Sequence, residues 1–247
     1  MSDQARRVQE QFGGSAAAYV TSPGHAAGDD LDTLVAWGRA LAPRRALDVA
    51  TGGGHTALAF TRVAGHVTAC DLTEPMLAAA RGLVRDRGAA AAFVAGDAVT
   101  LPFRDGAFDA IKVTEVLEHV PDPASALAEC RRVLRAGGHV VISAPFLERL
   151  HGDPSDYGRY TETMWRRLLA AARLEPLTIA PQGGYFTHLA GLLRFLVLRA
   201  PAGLRHLGYG LFPALDLMAR LDRSRRLASS DFAAFVGGYL IVATRKP

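Results

Sequence analysis

The side chains with the clearest chemical potential in this chain stand where short apolar runs end. Ala46-Leu47-Asp48-Val49-Ala50 leads into Thr51-Gly52-Gly53-Gly54-His55-Thr56-Ala57: a strand end, a glycine turn, then the start of a helix. Glycines in such a turn put no Cβ between backbone and ligand, and they leave amide N–H groups facing the gap. Gly52-x-Gly54-x-x-Ala57 fits the dinucleotide fingerprint in its Gly/Ala form. Asp48, four residues before Gly52, argues against that ligand, because a carboxylate at the strand tip repels a pyrophosphate and suits a cation. Asp71, 19 positions after Gly52, ends the next strand and is placed to accept both hydroxyls of a ribose. Glu115, Glu118 and His119 follow the fourth strand and His151 follows the fifth, where open α/β sheets hold their ligands. A histidine or a desolvated carboxylate there titrates near neutral pH, as a general base must.

The elements that carry these residues alternate along the chain. Residues 3–12 read as a short helix ending near Gly13-Gly14, and Leu31 to Leu41 as a second, stopped by Pro43. Strands are expected at Leu47–Val49, Val67–Asp71, Ala92–Ala95, Ala110–Val113, His139–Ala144, Leu177–Ala180 and Val236–Thr244. Helices are expected from Thr56, from Glu74 with Pro75 in its first turn, over Pro123–Leu134, and over Glu162–Arg173 with Thr161 as N-cap. Arg135-Ala136-Gly137-Gly138 reads as the turn that closes the helix before the fifth strand.

The loop from Asp48 to Ala57 resembles the first motif of the class I S-adenosylmethionine-dependent methyltransferases, with Ala50 where that motif usually has glycine. The ligand that this implies carries a sulfonium and an ammonium, which fits an acidic strand tip. The resemblance implies a doubly wound α/β fold: a seven-stranded Rossmann-like methyltransferase sheet with an antiparallel last strand and an inserted helical cap. It implies S-adenosylmethionine as cofactor and S-adenosylhomocysteine as product. Ala50, Thr51, Gly52 and Gly54 would meet the cofactor in the loop. Asp71 would meet it at the ribose, and Leu72 and Met76 at the adenine. Asp97 and the Ala98 amide, after Gly96, would read the adenine edge, and Thr114, Glu115 and His119 would face the transferable methyl.

Two further stretches resemble different branches. Phe12-x-x-Ser15-Ala16-x-x-Tyr19-x-x-Ser22-Pro23-x-His25 is similar to the N-terminal arm of ubiquinone- and menaquinone-type methyltransferases. By that likeness Phe12 and Tyr19 cover the sulfonium end, where a π-face attracts a cation; the alternative is aromatics docked on the core. Pro145-Phe146-x-x-x-x-His151-x-Asp153-Pro154-x-Asp156-Tyr157-x-Arg159-Tyr160-Thr161 resembles methyltransferases of surface-glycan and natural-product pathways. His151, His119 and Tyr157 are the catalytic candidates, with His151 preferred as base. Tyr19, Phe146, Arg159, Tyr160, Tyr185 and His188 are the candidates for holding the acceptor.

Residues 181–235 exceed what this sheet needs. Leu189, Leu192, Leu193, Leu196 and Val197 make one apolar helical face, Phe195 and Leu198 another, and Leu204 to Leu221 repeats the theme beside several arginines. A lid or dimer interface around an apolar pocket, a helix pair on a membrane surface, and core filler all fit. The organisation expected is an arm over residues 1–30, a cofactor-binding domain over 31–180 and 236–247, and a helical insertion over 181–235.

Composition narrows the partners. The chain has 247 residues, 49% of them apolar, and a formal charge of +4. All but two of its 28 basic residues are arginine, as a GC-rich genome produces, and no aromatic-and-basic stripe supports nucleic-acid binding. Cys70 and Cys130 have no metal-ligand spacing, and no metal is expected. The polar N-terminus and the lack of about 18 uninterrupted apolar residues lead to the expectation of a cytoplasmic protein. The reading is a methyltransferase acting by in-line displacement on a small or medium, partly apolar molecule, with oxygen slightly preferred as acceptor atom. Two alternatives stand beside it: a cyclisation or rearrangement in the same cofactor pocket, and a non-catalytic membrane-peripheral partner. A homodimer through the insertion and a weak membrane-surface contact are the candidate assemblies.

Overall fold

A computed structural model describes residues 3–13, 16, 20, 29–150, 155–227 and 229–247. Helix α1 (Asp3–Gly13) and helix α2 (Asp29–Leu41) precede strand β1 (Arg45–Val49). Helix α3 (His55–Phe60), strand β2 (His66–Asp71), helix α4 (Glu74–Asp86), strand β3 (Ala92–Ala95) and strand β4 (Phe108–Thr114) follow. Helix α5 (Pro123–Val133) runs directly into strand β5 (Leu134–Pro145). Helix α6 (Glu162–Ala171), strand β6 (Glu175–Gln182), helices α7 (Tyr185–Arg199), α8 (Ala202–Gly208) and α9 (Phe212–Ala219), and strand β7 (Gly238–Thr244) complete the order.

The strands form one sheet in the order β3-β2-β1-β4-β5-β7-β6. β1 pairs in parallel with β2 and β4, β2 with β3, and β4 with β5. β7 is antiparallel to β5: Gly137 N–H donates to Arg245 O at one end, and Phe146 N–H donates to Gly237 O at the other. Leu47, Ile111, Ile142 and Ile241 are fully buried on these strands. Near-continuous apolar strands are what a sheet covered on both faces requires. The expected doubly wound sheet with an antiparallel last strand is the one found.

Two local differences from the sequence reading have physical causes. Arg135–Gly138 is strand rather than turn. Leu134 already pairs with Phe108, and a register shift between Phe108 and Ala110 absorbs the irregularity at Gly137, whose φ is 70°. A Cβ at Gly138 would stand 2.9 Å from Asp109 O, so only glycine lets β5 pass there. The apolar stretch from Leu204 to Leu221 is not one helix: a 3-10 turn at Tyr209–Leu211 divides α8 from α9, beside Gly208, Gly210 and Pro213.

The chain divides into two compact units. The first comprises residues 1–144, 150–178 and 241–247, so it holds the parallel strands and α1 to α6. Its Trp165 is fully buried on α6, and Thr161 accepts from Met164 N–H as the expected N-cap. The second comprises residues 145–149 and 179–240, built on α7, α8 and α9. Within it Asp222 accepts from the N–H groups of Gly184, Phe186 and Thr187. That carboxylate caps the first turn of α7, whose own N-cap, Gly184, has no side chain to do so. Burial alone would raise its pKa; the bonds from the α7 amides and Thr187 hold it below the ordinary carboxylate value.

Candidate active site at the ends of the parallel strands

The glycine loop leaves β1 through alternate left-handed residues: Ala50 at φ 52°, Gly52 at 51° and Gly54 at 84°. Thr51 N–H donates to Cys70 O, tying the loop to β2. A Cβ on Gly54 would lie 2.7 Å from Ala80 Cβ, so the loop sits directly on α4. These are the features that let a backbone take a ligand at close range.

Asp48 is fully buried and does not present a free charge to that ligand. It pairs in register with Lys112 on β4, and Lys112 Nζ stands 3.0 Å from its Oδ1. Thr51 Oγ1 donates to its Oδ2 at 2.7 Å. Lys112 is buried too. A lone lysine inside Ala110-Ile111-Lys112-Val113 was the available signal for this pair.

The electrostatic character of the loop comes from several acids together. Burial pushes the Cys70 thiol up to about 12, and the carboxylates of Asp71, Asp48 and Asp97 push it the same way. The strand-end acids of β1 and β2 and the acid just after β3 thus converge on one sulfur. Asp71 accepts from Gly52 N–H at 2.9 Å with Oδ2, and from Thr73 N–H and Oγ1 at 3.0 Å with Oδ1. Burial raises its pKa against the lowering by those donors. Two carboxylate oxygens accept about four hydrogen bonds, so three donors leave acceptor capacity.

The adenine-side candidates lie around the same strand ends. Leu72 is half-buried and Met76 fully buried. Gly96 N–H donates to Asp71 O, and a Cβ there would meet Pro102 and the Cys70 sulfur. Asp97 Oδ1 accepts from Val99 N–H, and Ala98 is half-buried beside it. Two contacts that sequence reasoning missed bring the N-terminal segment here: Gln9 donates to Leu72 O at 3.1 Å, and the His55 ring meets Val20 O at 3.1 Å. Phe12 is half-buried on α1; Tyr19 lies outside the described residues.

Beyond β4 the turn gathers a second set of groups. Thr114 pairs in register with Ser143. Glu115 has φ 53°, its N–H donates to Ser143 O, and its Oε1 accepts from Ser143 Oγ at 3.1 Å. Held left-handed without being glycine, it is a strained residue at a strand tip. His119 Nδ1 is 2.7 Å from Ser155 O. A carbonyl only accepts, so Nδ1 carries the proton and Nε2 is left as the basic nitrogen. Nε2 stands 3.7 Å from Oε1 of Glu118, whose side chain is 1% exposed. Burial pushes the Glu118 carboxyl up to about 8, with Glu115 adding like charge.

The segment from 155 to 161 closes on this turn. Tyr157 N–H donates to Glu118 O at 2.7 Å. Arg159 and Asp156 form a buried two-pronged pair, with Nη2 to Oδ2 at 2.7 Å. The Tyr160 ring lies against Gly158 and meets Trp165 edge-on at 5.3 Å. Burial raises the Tyr160 hydroxyl pKa, and Glu118, Asp122 and Asp156 raise it further. So Glu115, His119, Tyr157, Arg159 and Tyr160 come together, and Glu118 joins them. His151 lies outside the described residues. In the second unit, Phe146 meets Tyr239 at 5.9 Å, and Tyr185 packs among Phe186, Phe232 and Phe235. His188 is half-buried near the start of α7. Among the described residues no cluster of histidine, cysteine, aspartate or glutamate has the arrangement to hold a metal ion.

Comparison with known proteins bears on this geometry. Residues 47–142, from β1 to β5, match the model of a family described as "Methyltransferase domain". A demethylmenaquinone methyltransferase of Thermus thermophilus is 43% identical over 103 residues, which is 41% of this chain and 47% of that protein. The chain spans about half the length of several such curated relatives. Among solved structures, a 1,6-didemethyltoxoflavin-N1-methyltransferase of Burkholderia thailandensis, with S-adenosylhomocysteine bound, superposes with TM-score 0.63 at 20% identity over 98% of this chain and 89% of its own. The [4+2]-cyclase SpnF superposes with TM-score 0.59 at 23% identity over 88% of this chain and 80% of its own. These two likenesses are of fold.

Two outcomes follow from the buried charges. Lys112→Met leaves Asp48 uncompensated and is expected to lower stability to urea by about 3–5 kcal/mol, with Asp48→Asn/Lys112→Met recovering most of it. Comparable loss in single and double variants would show that the pair is not the cause. For Glu118, the folded chain holds a proton between about pH 5 and 8 that the unfolded chain has released. Stability therefore falls as pH rises through that window, and Glu118→Gln flattens the slope of melting temperature against pH. The same slope in both proteins would assign it to other groups.

Proposed function

We propose that the chain carries a class I S-adenosylmethionine-dependent methyltransferase domain with S-adenosylmethionine as its cofactor, and that it methylates a small or medium, partly apolar acceptor, preferably at oxygen. The observation that carries the reading is the pairing of a cofactor cradle with a poised base at the same strand ends. The Gly52–Gly54 turn gives close backbone approach, Asp71 keeps acceptor capacity for a ribose, and Asp71 with Asp97 favours a cationic ligand, the charge of Asp48 being balanced by Lys112. Gly52, Asp71, Leu72, Asp97 and Ala98 are the residues that would hold the cofactor, which supplies a methyl already activated on a sulfonium sulfur. The chain's remaining task is to align the acceptor, exclude water and manage a proton.

His119 is the base that the geometry favours. Its Nδ1–H is fixed on Ser155 O, which leaves Nε2 to accept the proton of an acceptor hydroxyl. Glu118 lies beside Nε2 as a buried acid that burial keeps protonated, a polar neighbour rather than a counter-charge. Tyr157 sits over the turn, and Arg159 and Tyr160 shape its wall. His151 retains a proposed role as an alternative base, and Phe12 and Tyr19 as cover for the sulfonium. Phe146, Tyr185 and His188 retain proposed roles toward the acceptor. The proposed organisation keeps residues 1–30 as the arm and 181–235 as the insertion.

A second reading keeps the cofactor cradle and replaces methyl transfer by a cyclisation, a chemistry named for one protein of this fold. Turnover of an acceptor without release of S-adenosylhomocysteine would favour it.

Calorimetric titration with S-adenosylmethionine, S-adenosylhomocysteine and NAD is the first test, with micromolar affinity expected for the two sulfur ligands only. Asp71→Asn is expected to weaken both by about 1–3 kcal/mol, and unchanged affinity would remove it from the ribose site. With an acceptor in hand, His119→Gln should lower turnover about 100-fold or more while S-adenosylhomocysteine affinity changes far less. An equal loss in both would make His119 a cofactor contact rather than a base.

A further inference from the structure

The second unit carries many of its leucines outward. Along α7 to α9 and the turns beside them, exposed leucines recur one helical turn apart: Leu192 and Leu196, Leu207 and Leu211, Leu217 and Leu221. Leu207 is 78% exposed, Leu217 66% and Leu196 65%. Leu198 and Leu204 are exposed as well. Apolar residues scattered singly over a surface need no cover, but repetition in successive helical segments marks a surface that is covered in use.

Charge decides between the two simplest covers. Residues 181–240 hold seven arginines against three aspartates, an excess of four that equals the formal charge of the whole chain. Two of those aspartates are engaged internally, Asp216 with Arg194 and Asp222 with the amides that open α7. A second copy of this surface would bring like charge to like charge. An anionic lipid surface offers both requirements at once, an acyl boundary for leucines and phosphates for guanidinium groups. Arginine suits that boundary because its stem lies along apolar surface while its head reaches polar groups; Arg199 holds its guanidinium over the Phe195 ring at 5.1 Å, a head that tolerates apolar neighbours. No helix of the described residues is long and apolar enough to cross a membrane. The 15 residues of α7 extend about 22 Å, short of a hydrocarbon core of about 30 Å.

We propose that α7, α8 and α9 dock this protein on the surface of a membrane containing anionic lipid, with the leucines in the acyl boundary and the arginines among the headgroup phosphates. The docking is peripheral and needs no turnover, so it stands or falls apart from the methyl-transfer reading.

The test is co-sedimentation of the full chain with large unilamellar vesicles of phosphatidylcholine, with and without about one-third phosphatidylglycerol. The expected result is binding to the anionic vesicles at least about tenfold tighter than to phosphatidylcholine alone, weakening as salt is raised. Leu196→Glu/Leu207→Glu/Leu217→Glu alters only exposed positions, so the fold survives by circular dichroism; its vesicle binding should drop about tenfold or more. Arg220→Gln/Arg225→Gln/Arg226→Gln should abolish the preference for anionic lipid. The proposal is overturned if neither vesicle sediments the protein, or if the leucine variant binds as well as the parent. It is equally overturned if light scattering shows a dimer that the leucine substitutions dissociate, since the surface is then an interface between copies.

Discussion

Asp48 and Lys112 face each other on the two central strands, and neither side chain reaches water. Opposite charges persist inside a sheet only as a closely matched pair, because each alone would carry several kilocalories per mole of desolvation. The match here is lateral, set by the register of β1 against β4. Thr51 then completes the carboxylate from the loop side, while its own N–H reaches across to β2. The first residues of the glycine loop are therefore suspended from three strands at once. A one-residue slip of β1 against β4 would separate the charges and release the loop.

That arrangement changes how the acidic strand ends are understood. Asp48 contributes to the negative field around the loop with its charge already balanced. Asp71, with Asp97 near the same sulfur, supplies the less compensated part. The distinction matters for ligand choice: a cradle with these carboxylates receives a cationic group readily and a diphosphate poorly. At the other end of the site the problem is reversed. Glu118 is buried with Glu115 close by, and a carboxyl in that position holds its proton to about pH 8. The strand ends thus carry two kinds of acid: carboxylates held by lysine, amide and hydroxyl donors around the glycine loop, and a buried acid beside a histidine after β4.

The parts of this molecule that local pattern determines were legible in the sequence. β3 begins and ends at the expected residues, and Thr161 caps α6 as its spacing requires. Asp71 and Gly52 meet across the 19 positions that separate them. The parts that depend on register or distant packing were not. Nothing local says that Lys112 lies opposite Asp48, since the pairing of β1 with β4 skips two intervening strands. Burial made Glu118 a buried acid, and the segment after residue 154 supplied the cover and the carbonyl for His119. The packing of the Tyr185 ring against its neighbour Phe186 could be read locally, but its contacts with Phe232 and Phe235, far along the chain, could not. The strand character of Arg135–Gly138 was hidden because two glycines look like a turn until a neighbouring backbone is close enough to require them.

Ala50 holds a left-handed conformation that glycine would adopt freely. An alanine has fewer unfolded conformations to lose, and in the folded loop it has almost nowhere else to go. The loop is in consequence preorganised: it spends backbone strain, stored during folding, in place of the ordering entropy that a more flexible turn would lose when a ligand arrives. Such a cradle is set for its occupant before the encounter, and tolerance for ligands of a different shape is what it gives up.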